Sequence, residues 1–122
     1  MYLGMQNDLI ALVAETKKEL NKSPFIEFTE IIKTDEPVEL IGNQYYLGEE
    51  NIINAKKENV RNYRNRLLEK EVDPIVSNDL RWGDMKEEEK QLYIEYRRYL
   101  LDFTNQENWW ESKPLTFEEW KE

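Results

Sequence analysis

Chemistry at neutral pH needs a group that moves a proton, a nucleophile or a set of metal ligands, and this chain of 122 residues carries few candidates. It has no His and no Cys, which removes the commonest general base, the commonest metal ligand, cysteine nucleophiles, thiolate metal sites and disulfides. What remains are clustered carboxylates, Glu87-Glu88-Glu89 and Glu118-Glu119, which in principle supply an acid and a base. Each cluster opens a segment of helical pattern, where carboxylates are solvated and stabilised by the positive end of the helix dipole. Read in that way they are helix starts, not catalysts. The chain also lacks a glycine-rich phosphate loop, a Gly-x-Ser-x-Gly motif and EF-hand spacing among its acids. The expectation is a protein that is not an enzyme and uses no cofactor or metal.

Recognition chemistry, by contrast, is concentrated. All four Trp (Trp82, Trp109, Trp110, Trp120) lie in the last 41 residues, with Arg81 and Arg97 nearby. Arg and Trp dominate binding hot spots because they join large contact area to directional donors. Arg81, Trp82, Arg97, Trp109 and Trp110 are therefore the candidate partner-binding residues. With 17 Lys+Arg against 26 Asp+Glu the net charge is −9, which argues against nucleic acid or an anionic membrane as partner. Residues 1–50 carry −6, residues 51–82 carry +2 and residues 83–122 carry −5, so the middle segment alone has a positive balance. No apolar run approaches a membrane span, and Met1-Tyr2-Leu3-Gly4-Met5-Gln6-Asn7-Asp8 lacks the basic and apolar regions of a signal peptide. A cytoplasmic protein is expected.

The elements that must position these residues fall into two modules. Residues 1–48 read as a small α+β unit of order ββαβββ. Tyr2 to Met5 and Leu9 to Ala14 flank the turn-forming Gln6-Asn7-Asp8, and Thr16-Lys17-Lys18-Glu19 fits a capping box for a helix of about two turns that Pro24 must follow. Phe25 to Ile32 alternates as a half-buried strand does, and Val38 to Ile41 and Gln44 to Leu47 flank the two-residue turn Gly42-Asn43. Such a unit holds few large apolar side chains. It either packs within the monomer or uses an edge strand for association, and self-association as a homodimer through the small sheet or the helical hairpin is the expectation.

Residues 49–122 read as an antiparallel helical hairpin with an aromatic tail. From Glu49 to Glu71, Ile53, Val60 and Leu67 recur seven apart with Tyr63 between them, and Asp73-Pro74 is expected to end the helix. Arg61, Arg64 and Arg66 lie off that stripe, either paired with Glu58 and Glu69 or forming a basic strip for a partner. Asp84-Met85-Lys86-Glu87 fits a second capping box, opening a helix with Leu92, Tyr96, Tyr99 and Phe103 on one face and Tyr93 and Leu100 beside them. Thr116 to Glu119 fits a third. Neighbouring side chains point apart, so Trp109 and Trp110 do not easily share one small core; either the tail folds back and buries both rings or one ring is left for a partner.

At Val72-Asp73-Pro74-Ile75-Val76-Ser77-Asn78-Asp79-Leu80-Arg81-Trp82 and Tyr96-Arg97-Arg98-Tyr99-Leu100-Leu101-Asp102-Phe103 the sequence resembles bacteriophage and prophage tail-fibre assembly proteins. In that family an Arg-rich helix ends near an Asp, a short link follows, and an acidic helix start leads into a Tyr-Arg-x-x-Leu-x-Asp helix. Here these correspond to Arg61 to Asp73, Met85 to Glu89 and Tyr96 to Asp102. Gly4-Met5-Gln6-Asn7-Asp8, with Phe25 and Phe28, looks like the small leading module of some members. The tail departs from the pattern, since Trp109-Trp110-Glu111 and Phe117-Glu118-Glu119-Trp120 replace a proline-rich ending. The resemblance implies a chaperone that binds a tail-fibre protein near its C-terminal tip and helps it fold and trimerise in the bacterial cytoplasm, some members staying on the virion. A structural virion component capping a fibre or baseplate, and an acidic mimic of DNA acting as inhibitor, are the alternatives.

Overall fold

Asn7 takes a φ of 58°, a left-handed conformation that Asn tolerates, and so closes a tight turn with Asp8 between β1 (Tyr2–Gln6) and β2 (Leu9–Ala14). The computed structural model describes residues 1–21 and 27–122; among these it is α+β, with five strands, a short helix between the second and third, and further helices after the fifth. It divides into two compact units, Met1–Ala55 and Lys56–Glu122. Among the described residues no helix is long and apolar enough to cross a membrane.

In the first unit β1 is the central strand, antiparallel to β2 and to β3 (Glu30–Lys33), with a bulge between Gly4 and Met5. Gly4 is buried, and a Cβ there would overlap the Phe28 ring, so this strand position needs glycine for the ring to close over it. Phe28 accordingly lies before β3, and the described strand begins later than the alternation from Phe25 suggested. Helix α1 (Lys17–Asn21) starts where Thr16 accepts from the Glu19 amide at 3.2 Å. The expectations for Pro24, Phe25 and Ile26 fall on residues 22–26, outside the described residues. β4 (Val38–Ile41) and β5 (Gln44–Leu47) form a separate two-stranded sheet, so the module holds two small sheets. Gly42 alone takes positive φ in their turn (64°), the pattern of a type II′ hairpin. Leu3, Leu20 and Ile52 are the buried apolar residues described in this unit.

Helix α2 (Glu49–Leu67) does not stop at Asp73-Pro74. It widens into a π turn (Leu68–Val72) and resumes as α3 (Asp73–Val76), with Asp73 itself helical at φ −57°, ψ −42°. A proline inside a regular helix lacks a donor and its ring meets the carbonyl four residues back. The π turn shifts the ladder by one residue, Asp73 N–H donating to the Leu68 carbonyl, and Pro74 then sits in a first turn where its missing N–H costs nothing. The helix ends at Ser77, whose amide donates to the Asp73 carbonyl at 3.0 Å.

A short helix not evident in the sequence, α4 (Asp79–Asp84), is capped by Asn78, whose side chain accepts from the Arg81 amide at 3.1 Å. It takes up Asp84 as its last residue. Asp84 is therefore not the cap of α5 (Glu87–Asp102); Lys86 holds that position without a side-chain bond, and Glu87, Glu88 and Glu89 supply the favourable charge to the first turn.

Val60 of α2 clusters with Phe103, and Leu67 and Val72 cluster with Tyr96 and Leu100, so the sequence positions run in opposite senses and the helices pack antiparallel. Along α2, Val60 and Leu67 are buried as expected, whereas near its start Ile52 is buried and Ile53 only half-buried. Among the described residues Arg61, Arg64 and Arg66 form no ion pair with Glu58 or Glu69. Arg61 instead lies 5.1 Å from the Trp109 ring, Arg66 lies 5.9 Å from the Tyr63 ring, and Arg64 donates to the Asn65 side chain.

Candidate partner-binding groove

The tail of the second unit fixes one face of α5 and leaves the other free. Thr116 and Glu119 form a complete capping box, the threonine hydroxyl accepting from the Glu119 amide at 3.3 Å and the carboxylate accepting from the Thr116 amide at 3.1 Å. These hydrogen bonds hold the Glu119 carboxyl below the usual carboxylate range. The box starts α6 (Phe117–Lys121), and Phe117 lies flat on Tyr93 with ring centroids 4.5 Å apart and edge-on to Tyr96 at 5.2 Å.

Glu71, in the π turn, ties this packing together. Its Oε2 accepts from the Tyr96 hydroxyl at 3.0 Å and from the Phe117 amide at 2.9 Å. The Leu115 carbonyl lies 2.8 Å from the same hydroxyl, so one proton is shared between two acceptors, while the Tyr99 hydroxyl accepts from the Leu115 amide at 2.9 Å. Burial, and then the Glu71 carboxylate, push the Tyr96 phenol well above its ordinary pKa. Above about pH 10 an unfolded tyrosine loses its proton while the folded one keeps it, so the stability this group adds is complete below that pH and declines as pH rises further. The urea midpoint is expected to fall between pH 9 and pH 11, with a shallower slope in Tyr96→Phe; equal slopes would show that Tyr96 does not carry the effect.

Trp109 is buried against Val60 and Phe103. Trp110 is half-buried, edge-on to Trp109 at 6.0 Å, with Lys57 Nζ 4.7 Å from its ring. Asn108, left-handed at φ 53°, turns the chain into a short 3-10 helix, Trp109–Glu111. The tail thus folds back over the helices. Trp110 also lines a shallow cavity with Lys56, Glu111 and Lys113.

The opposite face of α5 carries Ile94, Arg97, Arg98 and Leu101, at the i, i+3, i+4, i+7 positions of one stripe. Together with Val76 from α3, Trp82 from α4 and Asp102 they line a groove of about 380 Å3. Ile94 and Leu101 are 40% and 41% exposed, so with the half-buried Trp82 they give the groove a contiguous apolar strip. Arg97 and Arg98 are exposed, and among the described residues neither forms an ion pair. Lys90 Nζ lies 5.9 Å from the Trp82 ring at the other side.

Of the residues singled out in the sequence, Trp82 and Arg97 meet in this groove. Arg81 lines a neighbouring cavity of about 230 Å3 with Ile75, Met85, Leu92 and Tyr93. Trp109 belongs to the core and Trp110 to its edge, away from those lining sets. Ile94, Arg98 and Leu101 were missed, although a second aliphatic pair seven residues apart, out of phase with the Leu92-Tyr96-Tyr99-Phe103 face, was there to be read.

The groove offers apolar area and unengaged guanidinium groups, which bind and orient. Among the described residues no cluster of three potential metal-ligating side chains occurs. Glu87 pairs with Lys90 at 3.5 Å and Glu118 with Lys121 at 3.2 Å, consistent with surface roles for the acidic clusters. No protein-family model matches the chain, and no curated protein or solved structure is significantly similar to it.

Proposed function

We propose that the chain is a non-catalytic chaperone that binds a phage tail-fibre protein near its C-terminal tip and assists its folding, trimerisation and assembly in the cytoplasm of the bacterial host. The observation that carries the reading is how the Tyr-Arg-x-x-Leu-x-Asp segment is used. Its Tyr96 and Leu100 are fully buried and hold the helix in place, while Arg97 and Asp102 line the groove with Trp82. One segment therefore supplies both the scaffold and the recognition surface, which suits a binding protein whose resemblance to fibre-assembly proteins rests on that same segment. A fibre subunit exposes β-rich and apolar surface until three chains associate, and a helper must cover a defined part of it.

Trp82→Ala tests the assignment. In a pull-down with a co-expressed phage tail-fibre protein, it is expected to weaken capture by about 2 kcal/mol, roughly thirtyfold, with the circular dichroism spectrum close to wild type. Capture at wild-type strength by folded Trp82→Ala would remove the groove from the contact surface.

A further inference from the structure

We infer that the groove selects an acidic apolar segment: a stretch of partner chain in which a large aliphatic or aromatic side chain stands beside an Asp or Glu side chain. The inference rests on the groove being the partner-binding surface, as in the function proposed above, and adds what it recognises.

Charge complementarity carries it. The protein bears a net −9, so most of its surface repels an acidic peptide and attracts a basic one. The groove inverts that preference. Arg97 and Arg98 stand side by side on its wall with no ion-pair partner among the described residues, against one lining acid, Asp102. Guanidinium groups match carboxylates through paired N–H donors and keep their charge at every physiological pH. The net charge thus disfavours an acidic segment on the protein as a whole, while the paired guanidinium groups favour it in the groove.

Charge alone does not fill the site, because exposed ion pairs contribute little. The rest of the lining is Val76, Trp82, Ile94 and Leu101, with Ile94 and Leu101 already 40% and 41% exposed. Ile94 and Leu101 sit about two helical turns apart with both arginines between them, so an apolar side chain laid along the stripe brings a neighbouring carboxylate to the guanidinium groups. A volume of about 380 Å3 has room for a few side chains, the contribution of a short stretch of chain. The occupant is a short segment.

A random dodecapeptide phage library panned on the immobilised full chain, with counter-selection on Arg97→Glu/Arg98→Glu, tests this without the fibre. Enriched peptides are expected to share an Asp or Glu within a few residues of a large apolar side chain. The best synthetic peptide, carrying an amidated C-terminus, should lose about tenfold or more in affinity on Glu→Gln in the peptide or on Arg97→Gln/Arg98→Gln in the protein, whose neutral side chains preserve the exposed helix face. Leu101→Asp should abolish binding. Enrichment of peptides without acids, binding that depends on a free C-terminal carboxylate, no enrichment, or equal binding by the Arg97→Gln/Arg98→Gln protein each overturns the inference. Fibre trimerisation is a separate readout: acidic-peptide selectivity with a fibre that ignores the chain refutes the chaperone function alone, and fibre dependence without that selectivity refutes this inference alone.

Discussion

Leu100→Asp is expected to unfold the second unit under conditions where Leu101→Asp leaves it intact. Leu100 is fully buried in the cluster with Leu67, Val72, Tyr96 and Phe117, an apolar and aromatic surrounding that does not solvate a new carboxylate. An unpaired buried charge costs several kcal/mol, so a loss of about 4 kcal/mol or more is expected, comparable with the whole stability of a small domain. The adjacent Leu101 is 41% exposed, and Asp there should shift stability by no more than about 1 kcal/mol while removing apolar surface from the groove. Urea unfolding followed by tryptophan fluorescence separates the two. Equal destabilisation would mean that the inner and outer faces of α5 are assigned wrongly. Val60, also buried, is a second position at which Asp should cost about 3 kcal/mol or more.

Glu71→Leu is the second change with a large expected effect. It takes the acceptor away from the Phe117 amide and one of two acceptors from the Tyr96 hydroxyl, and these groups lie where the tail is joined to the helices. Leaving a part-buried donor unsatisfied costs about 1–3 kcal/mol, and hydrogen bonds to a charged acceptor are at the strong end of the range, so a total loss near 3 kcal/mol follows. Glu71→Gln retains an oxygen at that place and should cost about 1 kcal/mol. If Tyr96→Phe and Glu71→Leu together cost the sum of their separate effects, the two groups are not coupled as the geometry implies. Amide exchange at Phe117 gives the local readout: Glu71→Leu should speed it more than exchange at Tyr96 within α5.

Much of this arrangement is legible in the chain because local signals agree with the final packing. Asn7-Asp8 and Gly42-Asn43 are turns whose backbone angles few other residues accept, and Thr116 with Glu119 is a cap whose two hydrogen bonds are made within one helical turn. The i, i+4, i+7 spacing of Tyr96, Leu100 and Phe103 marks the inner face of α5 and of the turn that follows it, and all three are buried. The failures come where two local rules compete. Pro74 is a stop signal in a regular helix but is accepted after a π turn, and nothing short of the packing of Val72 and Ile75 into the interior reveals that the chain makes one. Asp84 is a good cap residue, yet the segment before it closes into α4 first and uses Asp84 as its end.

The site divides in the same way. Trp82 and Arg97 stand out by residue type alone and meet in the groove. Ile94 and Leu101 look like core residues until Tyr96 and Leu100 are seen to occupy the interior, after which they can only face outward. Trp109 shows the converse. By type it resembles a hot-spot residue, but Val60 and Phe103 enclose it, and the left-handed Asn108 directs the chain so that Trp110 takes the more exposed place.

The fraction of a phage tail-fibre protein recovered as soluble trimer, measured by sedimentation after its expression with and without this chain, decides whether the chain is a fibre-folding factor. Soluble trimer is expected with the wild-type chain, and aggregated or monomeric fibre without it or with folded Trp82→Ala. Equal yields of trimer in the presence and absence of the chain would contradict it.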